Sequence, residues 1–103
     1  MIRHIVMFKF KESAAGKTKE ENLREAKARM LALKGQIPEL GALEVLFGAD
    51  GQAPGNYDYI LVSDFESLQQ LEAYQAHPAH VAFGQFVKEL REPDGRACID
   101  YEL

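Results

Sequence analysis

The chain has 103 residues, 47% of them hydrophobic and 27% charged, with a formal net charge of −4. That length makes one domain, residues 1–103, around a single modest core, and the acidic balance argues against nucleic acid or an anionic membrane as a partner, since both need a basic face. No apolar run approaches the roughly 20 residues of a membrane span, and the chain opens into strand-like residues rather than a signal peptide.

Residues 2–10 (Ile-Arg-His-Ile-Val-Met-Phe-Lys-Phe) are rich in β-branched and aromatic side chains and read as a strand. One face carries Ile2, His4, Val6, Phe8 and Phe10, the other Arg3, Ile5, Met7 and Lys9. Residues 11–17 are polar and read as a loop. Thr18 and Glu21 form a capping box, and Leu23, Ala26, Met30, Leu33 and Ile37 then recur at helical spacing until Pro38 stops the helix. A second strand is expected over 42–48, with Leu43, Val45 and Phe47 alternating. Residues 49–56 are turn formers. A third strand runs from Tyr57 to Phe65. Ser67 and Gln70 make a second capping box, opening a helix lined by Leu68, Leu71 and Tyr74.

Pro78 ends that helix and suits the first turn of another, while His77 before it is pushed out of the α region. In the new helix His80, Phe83, Val87 and Leu90 share a face. Pro93, Asp94 and Gly95 read as a turn, and residues 96–103 as a last strand containing the lone Cys98. This cysteine cannot form an internal disulfide; it reads as a small core residue of a cytoplasmic protein.

The order βαββαβ is that of an α+β, ferredoxin-like domain: a four-stranded antiparallel sheet with its helices on one face. The strands carry a second message. Ile5 and Met7 lie opposite Val6 and Phe8, and Ile60 and Val62 lie opposite Leu61 and Phe65, so both sheet faces are substantially apolar. A half-solvated sheet alternates more cleanly. A homodimer packed through the open sheet face is therefore expected.

Candidate chemistry gathers on three side chains. His80 stands in the first turn of a helix, beside free N–H groups and the positive end of the dipole, which favour the neutral imidazole of a general base. The alternatives are a core histidine bonded to a backbone carbonyl and a plain helix-start residue. Tyr74 is expected to point inward with its stripe partners Leu68 and Leu71, either as core or as a donor to a substrate carbonyl. His4 shares its face with five apolar neighbours and either bonds to the core or lines a pocket. His77 and His80 are separated by three positions, but the proline break spoils their shared helical face, and no cysteine or carboxylate cluster completes a ligand set, so no metal is expected. No nucleotide-binding fingerprint is present, and no cofactor is expected.

The opening Ile2-Arg3-His4-Ile5-Val6-Met7-Phe8-Lys9-Phe10-Lys11, the segment Phe65-Glu66-Ser67-Leu68 followed by Tyr74, His77-Pro78-Ala79-His80-Val81 and the closing Ile99-Asp100-Tyr101 together resemble the stress-responsive A/B barrel (Dabb) family over nearly the whole chain. The resemblance implies a dimeric α/β barrel in which two ferredoxin-like sheets meet face to face. It also implies a link to stress response. One plant branch of that family closes polyketide chains by aldol chemistry with a tyrosine–histidine pair, and the resemblance places that pair on Tyr74 and His80, with His4 in the same pocket. A second tyrosine of that branch falls on Met30, so the same substrate is not implied. The resulting expectation is a small dimer that binds a hydrophobic carbonyl compound between sheet and helices, with cofactor-free lyase or cyclase chemistry on His80, Tyr74 and His4. The alternatives are a non-catalytic structural dimer associated with stress and a cofactor-free monooxygenase.

Overall fold

The computed structural model describes residues 1–103. The elements are β1 (Ile2–Phe10), β2 (Ser13–Ala14), β3 (Lys17–Thr18), α1 (Lys19–Ala32, continued by a 3-10 turn over Leu33–Gly35), β4 (Leu43–Phe47), β5 (Tyr59–Phe65), α2 (Leu68–Ala76), α3 (Pro78–Leu90) and β6 (Arg91–Glu102). Four strands form an antiparallel sheet in the order β4-β5-β1-β6. This is the ferredoxin-like α+β fold, with the second helix divided in two at the His77-Pro78 break.

Strand period and helix stripe meet as expected. Ile2, Val6, Phe8 and Phe10 of β1 and Tyr59, Leu61 and Phe65 of β5 are buried under Ala26, Met30, Leu71, Tyr74, Phe83, Val87 and Leu90 of the helices. The first helix carries the full capping box: the Thr18 hydroxyl accepts from the Glu21 N–H, and the Glu21 carboxylate accepts from the Thr18 N–H. At α2 only half of the expected box forms, with Ser67 accepting from Gln70. Leu68 stays exposed, so the inward stripe there is Leu71 and Tyr74.

Two expectations along the chain are corrected. The presumed loop at 11–17 contains a tight hairpin of β2 and β3. Its central residues Ala15 and Gly16 both take positive φ, 53° and 76°, as a two-residue turn of the favoured hand requires. The buried Asn22 amide ties this hairpin to α1 through the Ala14 carbonyl. The presumed turn at Pro93-Asp94-Gly95 lies inside β6 instead. The register shifts there, from Phe8 opposite Arg96 to Phe10 opposite Arg91, so these residues form an enlarged bulge. An edge strand tolerates proline at such a place. Gly95 is buried against β1, where a Cβ would meet both the Lys9 Cβ and the Lys9 carbonyl oxygen at 2.9 Å.

The other face of the sheet has no helix. Pairing sets Ile5 between Val62 and Ile99, and Met7 between Ile60 and Ala97, with Leu46 next to Ile60. Ile99 is 60% exposed and Leu46 47%. This apolar field is bounded by a two-pronged ion pair in which Arg3 donates to both Asp64 oxygens, at 2.9 and 3.1 Å. No helix is long and apolar enough to cross a membrane.

Candidate functional site

A cavity of about 240 Å³ opens between the sheet and the two C-terminal helices. His4, Val6 and Phe8 of β1 and Leu61 of β5 line it from the sheet, and Tyr74, His80, Phe83 and Val87 line it from α2 and α3. Lys88, Arg91 and Arg96 stand around it. A larger depression of about 620 Å³ lies between α1 and the 47–52 segment. It is open and lined mainly by polar and charged residues, and none of the three candidate residues borders it.

The proline break places His80. His77 has φ −64° and ψ 135°, the extended conformation imposed by the following ring. Pro78 opens α3, and the His77 Nδ1 accepts from the Ala79 N–H at 3.0 Å. His77 is thus the cap of the helix. The His80 Nδ1 sits 3.2 Å from the Gln75 carbonyl oxygen, back across the break. A carbonyl only accepts, so Nδ1 carries the proton and the neutral ring keeps its lone pair on Nε2.

Burial holds the His80 pKa below its usual value, and the nearby His4 and Arg96 push the same way, against the opposing effect of the Gln75 hydrogen bond. The expected cause, free N–H groups at the helix start, is not the main one, because His77 occupies part of that turn.

Tyr74 is 1% exposed, and its ring lies 4.4 Å from that of His80, centroid to centroid. Burial pushes its phenol well above the usual range, so at neutral pH it is a donor. Its hydroxyl reaches only the Met30 Sδ, at 4.0 Å. A thioether is a weak acceptor. This O–H is therefore free to turn to a better acceptor, such as a carbonyl oxygen developing negative charge.

His4 is 2% exposed. It borders the cavity, and its Nδ1 lies 2.5 Å from the Asp100 carboxylate on β6. Its ring is 6.4 Å from that of Tyr74. Ser63, fully buried and directly across from His4, donates to the His4 carbonyl at 3.4 Å. Sequence reasoning missed Asp100 and Ser63, since only strand register brings them to position 4.

Cys98 is also next to His4, with its Sγ 3.7 Å from Nδ1. It is exposed rather than core, on the edge strand β6. His4, Cys98 and Asp100 offer donor atoms within 4.8 Å of one another. A tetrahedral ion with bonds of about 2.0–2.1 Å holds its donors roughly 3.3 Å apart. The 2.5 Å separation of His4 and Asp100 is instead that of a hydrogen bond, which fixes the ring orientation.

Comparison with known proteins agrees with the fold. The family model for the stress responsive A/B barrel domain matches residues 2–103. Olivetolic acid cyclase from Cannabis sativa is 29% identical over 94 residues, covering 88% of this chain and 87% of the cyclase. Among solved structures, a dimeric ferredoxin-like protein from Bacteroides fragilis superposes with a TM-score of 0.82 at 32% identity, over 99% of this chain and 95% of the other. A dimeric ferredoxin-like protein from Thermobifida fusca gives 0.80 at 26% identity, over 99% and 90%.

Proposed function

The chain belongs to the stress-responsive A/B barrel family, and from that premise we propose that it is a homodimer whose cavity binds a small hydrophobic carbonyl compound and carries out cofactor-free lyase or cyclase chemistry. In the proposed step, the His80 Nε2 takes a proton from the carbon beside a carbonyl. The C–H electron pair moves into the enolate, and the charge settles on its oxygen. Tyr74 donates its O–H to that oxygen. In a cyclase the enolate carbon then bonds to a second carbonyl carbon of the same molecule, whose oxygen takes the proton back. His4, held by Asp100, positions Tyr74 and the substrate.

The observation that carries this reading is the Tyr74–His80 contact in the cavity wall, where the ring nitrogen left free is the basic one and the phenol has only a thioether as partner. The similarity to a cyclase adds weight. Met30 beneath the Tyr74 hydroxyl argues for a substrate less polar at that point than one bound by a second tyrosine.

The dimer is proposed to form through the open sheet face bearing Ile5, Met7, Ile60 and Val62, in keeping with the dimeric relatives. Cys98, an exposed unpaired thiol, suits the reducing cytoplasm. A second reading, a non-catalytic structural dimer, draws on the fact that no buried side-chain polar atom lacks a partner. Isotope exchange separates the two. A medium-chain methyl ketone in D₂O should exchange its α-hydrogens faster with the protein present, and His80→Gln or Tyr74→Phe should abolish the acceleration. No acceleration over buffer across a panel of such ketones would leave the structural reading.

A further inference from the structure

We infer that the natural ligand is an amphiphilic carboxylate: an apolar body inside the cavity and an anionic head on the cationic rim. This rests on the reading of the cavity as a ligand site and adds the charge class of what fills it. The chain is acidic as a whole, yet Lys88 of α3 and Arg91 and Arg96 of β6 border the cavity, and no aspartate or glutamate lines it. Asp100 on β6 faces His4. None of the three cations forms a salt bridge. Three like charges gathered without counter-ions at the mouth of an apolar hollow attract an anion from solution.

The geometry favours a carboxylate in particular. The Arg91 Nη1 donates to the carbonyls of Glu92 and Pro93, at 3.1 and 3.0 Å. The guanidinium is thus held in one orientation, with its remaining N–H groups available as a planar fork that matches a carboxylate. A fixed fork loses little entropy on binding.

Gly84 stands at the mouth of the same cavity. It lies inside α3 and lines the cavity, and a Cβ built there meets nothing within 4 Å. Glycine inside a helix costs about 1 kcal/mol relative to alanine, and the protein's own packing does not require it. Gly84 is exposed, so the space beside it is the solvent-open mouth of the cavity, and a larger side chain there would narrow that mouth. At about 30 Å³ per water, the cavity's volume equals roughly eight waters, which suits a body of about that many non-hydrogen atoms.

The test is calorimetric titration with cyclohexanecarboxylate and its neutral isostere cyclohexanecarboxamide. The acid should bind about tenfold tighter or more, and added salt should weaken only the acid. Arg91→Gln and Arg96→Gln should bring the acid towards the amide's affinity while leaving the amide unchanged. Gly84→Leu should weaken both compounds without lowering the melting temperature, placing them in this cavity. Equal binding of acid and amide, or binding of the amide alone, would overturn the anionic assignment and leave the cavity reading standing. Failure of both compounds to bind, or undiminished binding to Gly84→Leu, would overturn the anionic assignment and the cavity reading together.

Discussion

Two buried tyrosines offer an internal comparison that decides whether Tyr74 serves the fold or a ligand. Tyr59 and Tyr74 are each 1% exposed and both sit in the core. The Tyr59 hydroxyl donates to the Ala26 carbonyl at 3.1 Å, whereas the Tyr74 hydroxyl has only the Met30 sulfur at 4.0 Å. Tyr59→Phe removes a net hydrogen bond of about 1 kcal/mol, which in a domain of this size lowers the melting temperature by about 4–8 °C. Tyr74→Phe gives up a contact of at most about 0.5 kcal/mol and strands no strong acceptor. It should therefore shift melting by less than about 2–4 °C. In the exchange assay, however, loss of an oxyanion donor should cost about 10²–10³ in rate, while Tyr59→Phe should cost little at a temperature where it stays folded. Differential scanning calorimetry of the two variants, beside the exchange rates, makes the comparison. A Tyr74→Phe loss as large as that of Tyr59→Phe, with the exchange rate unmoved, would show the Tyr74 hydroxyl to be structural and refute the reasoning.

Three further outcomes are expected. Ile60→Lys puts a charge into the open sheet face and should yield monomers or insoluble protein, whereas sedimentation of the unmodified chain should show a dimer; a monomeric unmodified chain would refute the interface. Since His80 has a lowered pKa in the folded state, the unfolded chain takes up this proton first as pH falls. The associated stability is therefore complete above the free value of about 6.5 and declines below it. His80→Gln should flatten that part of the stability–pH curve, as denaturant titration at several pH values would show. Gly95→Ala forces a Cβ to within 2.9 Å of the Lys9 carbonyl oxygen and Cβ and should cost about 1–3 kcal/mol, readable as a lower melting temperature.

Much of the architecture was legible because local rules agreed with the tertiary result. Alternation in β1, the Thr18–Glu21 capping box and the Pro78 restart each carry a short-range physical signal, and each appears where expected. The features that escaped depend on pairing between distant segments. The β2–β3 hairpin has strands of only two residues and a non-glycine residue at positive φ. The Pro93-Asp94-Gly95 bulge has the composition of a turn, and only the partner strand distinguishes the two. Leu68 and Cys98 looked inward by type but lie where no element covers them.

At the candidate site, the proline break and helical register singled out His80, and the apolar stripe singled out Tyr74. Asp100, Ser63 and the cationic rim needed the sheet register and the return of β6 beside β1. The His77 side chain as helix cap could have been read from its place directly before a proline-initiated helix, since a ring nitrogen can accept there as a hydroxyl does.

The most direct test of the central claim, that His80 stands ready as a neutral base, is a nitrogen-detected NMR titration of this one ring. The prediction is a neutral imidazole carrying its proton on Nδ1, bonded to the Gln75 carbonyl, with a pKa below the free value of about 6.5. Protonation at or above that value, or a neutral ring with its proton on Nε2, would contradict the account.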